Sequence, residues 1–184
     1  MTADRGLPSE GLTVYVAGSF RHKHGVRLLG RELRAMGCRI LDWTEKAVPP
    51  PGLTPAQRRI WMDTDRDGGQ VYTFCLNACL TADMVIYYGA SGQDAGVEVG
   101  LAAGAGVPIL GIRGPLEAPG LMLHGAVSLW VDEMETALPL LAGISRLAAC
   151  GWQGLEEETD PRVRSLAEAV RARQIQCRAT PATT

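Results

Sequence analysis

Short runs of branched and aromatic apolar residues alternate with segments of helical periodicity along most of this chain of 184 residues. Each run has the length of a strand and is bounded by glycine, proline or polar residues, which predicts a buried β-strand. The alternation therefore predicts a three-layer α/β fold around a mainly parallel five-stranded sheet. The expected strands occupy residues 13–18, 38–42, 83–88, 107–112 and 127–131.

The strands are expected to have the flavodoxin-like order 2-1-3-4-5. In that order a ligand crevice lies between strands 1 and 3, at their carboxyl ends. We expect one α/β domain over residues 1–150, followed by a C-terminal helix and a flexible tail over 151–184. That helix should start at Asp160 and Pro161 and pack on the domain or on a second subunit.

Residues 43–69 interrupt the alternation, because they carry consecutive prolines and no sustained period. A loop of this length in a compact domain is usually functional or mobile. We expect only a short helix over 55–62, before a helical period returns over 70–81. Further along the chain, Asp94 and Asp132 are each expected to be the N-cap of a helix. Pro139 should bend or shorten the helix that begins at Asp132.

The charge balance and the cysteines limit the function classes. Lysine and arginine number 18 against 20 aspartates and glutamates, for a net charge of −2. This balance argues against a general binder of nucleic-acid polymers or of anionic membranes. There is no apolar stretch long enough to span a membrane and no signal-peptide pattern. The five cysteines form no CxxC pair, which is typical of a reduced cytoplasmic protein.

The turn after strand 1 contains residues that suit an anion. Gly18, Ser19 and Arg21 are followed by two imidazoles at the entrance of a helix, where N–H groups favour phosphate. An ordinary basic surface loop is the alternative. A GxGxxG dinucleotide fingerprint is absent, so NAD is weakly supported. An unrelated flavodoxin-like protein is a further alternative, but FMN is disfavoured because few aromatic residues flank the crevice.

The segment 89–100 follows strand 3 and should open a helix at the same crevice. Asp94 and Glu98 are four residues apart, so both carboxylates can face one side of that helix. We expect Glu98 in the first turn, where the helix dipole would keep it ionised. Gly92 lies in the turn itself, and with the glycines at 96 and 100 it would let a ligand approach. A cap followed by a dipole-compatible glutamate is the alternative interpretation.

Metal binding is not expected. The acidic run from Asp63 to Gly68 begins like a calcium loop, but the position of the required bidentate glutamate is Phe74. We interpret the run as a polar turn that caps the next helix. The alternative is that Asp63 or Asp67 of this run reaches into the ligand crevice. Cys75 and Cys79 lie on one helix face and are expected to be small buried residues.

Three segments together resemble the nucleoside 2-deoxyribosyltransferase superfamily, which includes nucleoside 5′-monophosphate N-glycosidases. The resemblance runs from about residue 13 to residue 112. It is carried by the first strand with its Tyr15, by the start of the third strand, and by the DxG-like helix with the strand after it. The first segment is residues 14–18, the second is residues 82–86, and the third combines residues 94–102 with the following 106–109.

The resemblance implies a pocket for a nucleoside or a nucleoside 5′-monophosphate, with no cofactor. In that pocket Glu98 would be the nucleophile that attacks C1′, and Tyr15 would orient it. Asp94 would assist the leaving base or hold a sugar hydroxyl. The 5′-phosphate would be bound by Gly18, Ser19 and Arg21, together with Ser91 and Gly92. A homodimer is also implied.

Two departures from the family pattern concern base recognition. Glu98 lies four positions after Asp94, whereas in the family the glutamate usually lies six positions after the aspartate. Cys75 occupies a position at which members often carry an acid, so that role could pass to Asp67 or be missing. The sequence therefore leaves two functions open: cleavage or transfer of an N-glycosidic bond, and nucleotide sensing without turnover.

Overall fold

The computed structural model describes residues 11–64 and 66–179, apart from the side chains of residues 62–68. Within them one parallel sheet has the strand order β2-β1-β3-β4-β5, with helices on both faces. The expected three-layer α/β fold and its strand order 2-1-3-4-5 are thereby confirmed. The strands are β1 (Thr13–Gly18), β2 (Arg39–Leu41), β3 (Met84–Tyr88), β4 (Ile109–Ile112) and β5 (Leu129–Val131).

Strands β1 and β3 form the middle of the sheet and position the site. Tyr15 pairs with Val85, and Gly18 at the end of β1 pairs with Tyr88 at the end of β3. The β1 side chains from Val14 to Ala17 are almost fully buried, as expected for a strand covered on both faces. The two turns that follow these strands therefore lie next to each other at the carboxyl edge of the sheet.

In the described part of the chain, seven α-helices connect or follow the strands. In the first of them, Val26, Leu29 and Leu33 recur at helical spacing and are buried. Gly37 follows that helix with φ of +86°, a backbone conformation that favours glycine after a helix. The helices are α1 (Lys23–Ala35), α2 (Pro55–Thr64), α3 (Arg66–Thr81), α4 (Gln93–Gly104), α5 (Leu121–Ala126), α6 (Met134–Ala149) and α7 (Pro161–Ala179).

The segment expected to be a long loop is mostly helical, so that prediction was wrong. Helix α2 runs two residues beyond the short helix expected over 55–62, and α3 begins at Arg66, four residues before the expected period. The polar run at 63–68 thus lies in these two helices and at their junction. Asp65 and the side chains of Asp63 and Asp67 lie outside the described residues.

Two expectations about helix caps were also wrong. Gly92, with extended backbone and no side-chain cap, is the N-cap of α4, so Asp94 lies in the first turn instead. Glu133 is the N-cap of α6, and Asp132 precedes it. Pro139 lies inside α6 without ending it. It is the sixth residue of a helix of 16, so most of α6 follows the proline.

Helix α7 packs on α6 through an apolar stripe. Val163, Leu166 and Val170 are buried, and Gly143 of α6 lies against Val163. Arg173 is also buried, and its guanidinium donates to the carbonyl oxygens of residues 105 and 80, at the ends of α4 and α3. None of the described helices is long and apolar enough to cross a membrane.

Candidate functional site

Tyr15 and Glu98, which are 83 residues apart in sequence, meet beneath the carboxyl edge of the sheet. The Tyr15 hydroxyl donates to Glu98 Oε1 at 2.7 Å. Tyr15 is fully buried on β1, while Glu98 reaches it from α4, which crosses that strand. The fold thus places together two of the three residues expected to be catalytic. Oε2 of Glu98 is buried and has no hydrogen-bond partner of normal geometry among the described residues.

Burial controls the ionisation of this pair. It raises the pKa of Glu98 to about 7, partly opposed by hydrogen bonding from Tyr15 and Cys75. The expectation that the dipole keeps Glu98 fully ionised was therefore wrong, since Glu98 is in the second turn of α4 and is largely removed from water. Burial and the nearby Glu98 charge raise the pKa of Tyr15 far above its usual range, so its hydroxyl is a permanent donor.

Two cysteines of α3 border the carboxylate. The thiol of Cys75 lies within hydrogen-bonding reach of Tyr15 and Glu98, and burial raises its pKa to about 11. Burial, with Glu98 close by, raises the pKa of Cys79 to about 12. Both thiols therefore stay protonated at neutral pH. Cys79 is fully buried, as expected, whereas Cys75 is half-buried at the site itself.

Asp94 lies one turn before Glu98 on α4 and is exposed. It is close enough for its charge to raise the pKa of Glu98, which agrees with the expectation that the two carboxylates share one side of the helix. The Tyr15 hydrogen bond is made by Glu98 and not by Asp94. Asp94 thus faces solvent at the entrance, while Glu98 lies inside.

The turns after β1 and β3 are joined by hydrogen bonds. The backbone N–H of Ser19 donates to Ser91 Oγ at 2.8 Å, and Ser91 Oγ donates in turn to the Tyr88 carbonyl. His22 Nε2 lies 2.9 Å from the carbonyl oxygen of Ala90. The Ser91 hydroxyl, expected to meet an anion, is therefore engaged in holding the two turns together.

The remaining expected binding residues surround these turns. Arg21 is exposed, and its side chain forms no hydrogen bond or ion pair with a described residue. A Cβ at Gly18 would lie 3.0 Å from Val26, while one at Gly92 would meet nothing within 4 Å. Gly92 therefore leaves the amino end of α4 open. The side chain of Asp67 lies outside the described residues.

Sequence reasoning missed a second pair beside the β3 turn. Tyr87 Oη donates to Glu117 Oε1 at 2.5 Å, and the N–H of Gly114 donates to Glu117 Oε2 at 2.8 Å. Burial, with Glu117 as acceptor, raises the pKa of Tyr87 to about 12. Glu117 belongs to an irregular loop without a motif. The sequence indicates only that Tyr87 lies on the same sheet face as Tyr15, because side chains alternate between the two faces along β3.

A cavity of about 260 Å³ opens beside α3, although Glu98 does not line it. Trp61 and Phe74 give it aromatic walls, and Lys46 lies over the Phe74 ring at 5.8 Å. Trp61 is buried, and its Nε1 has no partner among the described residues. A larger cavity of about 340 Å³ lies between α6 and the start of α7, away from the β1 and β3 turns.

Among the residues described, no group of three or more His, Cys, Asp or Glu side chains is placed to hold a metal ion. At the candidate site a carboxylate, a hydroxyl donor and a thiol lie together.

Comparisons with known proteins bear on the fold. No family model matches the chain, and no curated protein matches it either. A 2-deoxyribosyltransferase from the psychrotolerant bacterium Bacillus psychrosaccharolyticus has a similar structure, with a TM-score of 0.53 and 17% identity over 68% of this chain and 90% of that chain. The CMP N-glycosidase of Clostridium botulinum gives a TM-score of 0.46 and 14% identity over 70% and 97%. The first comparison shows that this chain shares its fold with that 2-deoxyribosyltransferase.

Proposed function

We propose that this protein cleaves or transfers the N-glycosidic bond of a nucleoside or nucleoside 5′-monophosphate, with Glu98 as the nucleophile. The observation that carries the proposal is the buried Tyr15–Glu98 pair with its 2.7 Å hydrogen bond. A glutamate held at one oxygen by a permanent donor keeps the other oxygen available for bond formation. The similar fold of a 2-deoxyribosyltransferase supports the same chemistry.

In the first step Oε2 of Glu98 attacks C1′ of the sugar. The C1′–N bond breaks, its electron pair leaves with the base, which takes up a proton that the attacking water returns in the second step, and a glycosyl ester of Glu98 forms. In the second step water, or a second base for transfer, attacks C1′ and releases the carboxylate. For hydrolysis the net reaction is nucleoside plus water giving base plus sugar, as in a retaining glycosidase.

Tyr15 has a defined role in both steps. Its hydroxyl donates to Oε1, which orients the carboxylate and stabilises its charged form. When the ester forms, the carboxylate loses its charge. When water cleaves the ester the charge returns, and the same hydrogen bond lowers the energy of that leaving group.

Access to the nucleophile requires a local rearrangement. Oε2 is covered by surrounding protein, with α3 on one side through Cys75. A substrate must displace this cover before C1′ can approach the oxygen. The cavity at Trp61 and Phe74 supplies aromatic walls and an indole N–H without a partner among the described residues, which suit a planar base with a hydrogen-bond acceptor.

A phosphorylated substrate is supported by the turn after β1. The Arg21 side chain has no partner among the described residues, while the Arg21 N–H donates to Ser19 Oγ, next to the contact of Ser19 with the β3 turn. The uncapped amino end of α4 adds backbone N–H groups at the same edge. These features favour the 5′-monophosphate, and hence hydrolysis over transfer.

The test is to incubate the protein with a panel of nucleosides and their 5′-monophosphates and to detect free base by chromatography. The test variant is Glu98→Gln, which keeps the shape of the side chain. The control is Glu157→Gln, because Glu157 is exposed on the loop between α6 and α7. We expect base release by the wild type and the control, and a loss of at least about a thousandfold in Glu98→Gln.

The other outcomes are equally informative. Base release that survives in Glu98→Gln would overturn the role of Glu98. Tight binding of a nucleotide with no release by the wild type would instead support the sensor, the second function that the sequence left open.

A further inference from the structure

The turn after β3 and the loop after β4 are interlocked at two glycines. A Cβ on Gly89 would lie 2.0 Å from Glu117 Oε2 and 2.9 Å from the nitrogen of Gly114. A Cβ on Gly114 would lie 2.1 Å from the nitrogen of Ala90. Real Cβ atoms do not approach other atoms this closely, so both positions require glycine. The two segments are therefore packed closely against each other at these glycines.

Glu117 links these segments with both of its oxygens. One accepts from the Tyr87 hydroxyl and the other from the Gly114 N–H. The Tyr87 hydroxyl is in turn the acceptor for the backbone N–H of Ser91, at 3.0 Å. Ser91 then contacts Ser19 of the β1 turn. A continuous chain of hydrogen bonds thus runs from the β4 loop to the β1 turn.

The Tyr87 ring is itself held from the side. Tyr87, Gly111 and Trp130 are neighbours on three adjacent strands, and the Tyr87 and Trp130 rings meet edge to face at 5.7 Å. A Cβ on Gly111 would lie 2.5 Å from the Trp130 ring, so the missing side chain makes this contact possible. The hydroxyl that positions Ser91 therefore belongs to a ring with little freedom.

We propose that Tyr87 and Glu117 are positioning residues that fix the Ser91 turn for the 5′-phosphate of the substrate. This inference rests on the proposed function, because it assumes that the phosphate occupies the edge between Ser19, Arg21 and Gly92. Neither residue touches the substrate. They hold the backbone from which the amino end of α4 begins, and so set the preference for a phosphorylated over an unphosphorylated sugar.

This role makes a prediction opposite to that of simple electrostatics. Removing the Glu117 carboxylate deletes a negative charge near the phosphate, which by itself would strengthen phosphate binding. Loss of the turn geometry would weaken binding instead, because several donors must converge on one group. The sign of the change in affinity therefore separates the two effects.

The experiment measures the dissociation constants of 2-deoxyribose 5-phosphate, inorganic phosphate and 2-deoxyribose by calorimetry. The variants are Tyr87→Phe, which changes no charge, and Glu117→Ala. Tyr72→Phe and Glu157→Gln are exposed controls of the same residue types. Circular dichroism melts establish that each variant is folded at the temperature of the measurement.

We expect both site variants to weaken binding of the sugar phosphate by about tenfold or more, with the controls unchanged. If the wild type releases base, the KM for the monophosphate should rise in both variants while kcat and the KM for the nucleoside stay within about twofold. These phosphate-selective losses could not arise from a general loss of stability.

Three results would overturn the proposal: no binding of either phosphate by the wild type, unchanged affinity in Tyr87→Phe, or tighter binding in Glu117→Ala. If the wild type releases no base and yet the phosphate-selective loss is seen, the proposed reaction fails while the positioning role stands. If Glu117→Ala does not fold, Tyr87→Phe decides the question alone.

Discussion

Glu98 shows most clearly how the fold changes the chemistry of one residue. In an unfolded chain its carboxyl group has a pKa near 4.5, and burial beside Tyr15 raises it to about 7. The sequence pattern indicated that Glu98 lies at the crevice, but it could not indicate this shift. The shift depends on α3 and β1, which are distant in sequence and cover the carboxylate only in the folded state.

The first prediction concerns the pH dependence of the reaction. Only the ionised form of Glu98 can attack C1′. The kcat/KM for base release should therefore rise about tenfold per pH unit below about pH 7 and level off above it. Rates measured between pH 5 and 9 test this. If kcat/KM instead levels off above about pH 4.5, the ordinary pKa of a glutamate, Glu98 is not buried as described.

The second prediction concerns stability at the same residue. The folded state holds a proton on Glu98 up to about pH 7, whereas the unfolded chain releases it near pH 4.5, so wild-type stability falls as pH rises between these values. Glu98→Gln removes this effect. It should raise the free energy of unfolding by up to about 3 kcal/mol at pH 8 and by little at pH 4.

Urea unfolding at both pH values measures the difference, with Glu157→Gln as the control. The exposed control should change the stability by less than about 0.5 kcal/mol at either pH. An equal effect of Glu98→Gln at pH 4 and pH 8 would contradict the linkage between burial and ionisation.

Other residues of the site were predictable only in part. Ser91 belongs to the expected turn, yet its hydroxyl bridges the two turns because β1 and β3 are neighbours in space. Glu117 could not be predicted, since it follows β4 in an irregular loop and reaches Tyr87 only through the fold. A motif records spacing along the chain, whereas these contacts depend on the packing of the sheet.

At the scale of elements, the strands were the most predictable part of the molecule. The apolar runs of β1, β3 and β4 are buried on both faces and leave a clear signal. The start of α3 was missed because it contains Gly68 and Gly69, which have low helix propensity. The short α5 contains Gly125 and has no buried residue, so no period marked it.

The third prediction compares two helical glycines. A Cβ on Gly25 of α1 would lie 2.6 Å from the Tyr88 hydroxyl, while one on Gly100 of α4 would meet nothing within 4 Å. Gly25→Ala should therefore lower the stability by about 1 kcal/mol or more, because α1 or the Tyr88 ring must shift. Gly100→Ala should raise it by about 0.5–1 kcal/mol.

Thermal melts of the two variants beside the wild type are sufficient to check this pair. Both replacements add one methyl group to a helix, so any difference between them reports the surroundings alone. Equal changes would show that α1 does not pack against Tyr88 as closely as described.

At the scale of the whole molecule, the C-terminal segment is tied to the rest by a buried arginine. The Arg173 side chain on α7 donates to the carbonyl oxygens of Ala105 and Leu80, near the ends of the two helices that border Glu98. A cation is favourable at helix carboxyl ends. The division into residues 1–150 and 151–184 remains a prediction about domains. The contacts of Arg173 allow it to be tested by the effect of an Arg173 variant on the free energy of unfolding.

The fourth prediction is that Arg173→Met lowers the free energy of unfolding by about 1–3 kcal/mol, since two buried carbonyl groups lose their donor. Arg171→Met, an exposed change on the same helix, is the control. Urea unfolding measures both variants. A loss confined to α7, with the rest of the protein unaffected, would show that the segment behaves as a separate unit.

The strand order was accessible from the sequence because it follows from parallel βαβ units, whereas the Tyr15–Glu98 pair was expected only from the family resemblance. The burial of the Glu98 carboxylate could not be predicted from the sequence, because it depends on how α3 packs against α4. The central claim concerns the carboxylate beneath that cover, and it is tested by looking for the bond that Glu98 should form.

The most direct measurement is mass spectrometry of the protein after a rapid acid quench during turnover of a nucleoside 5′-monophosphate. We predict that the peptide carrying Glu98 gains the mass of one sugar phosphate lost from the substrate with its base, and that Glu98→Gln shows no such gain. Base release by the wild type with an adduct on another residue, or by Glu98→Gln at the wild-type rate, would contradict the account.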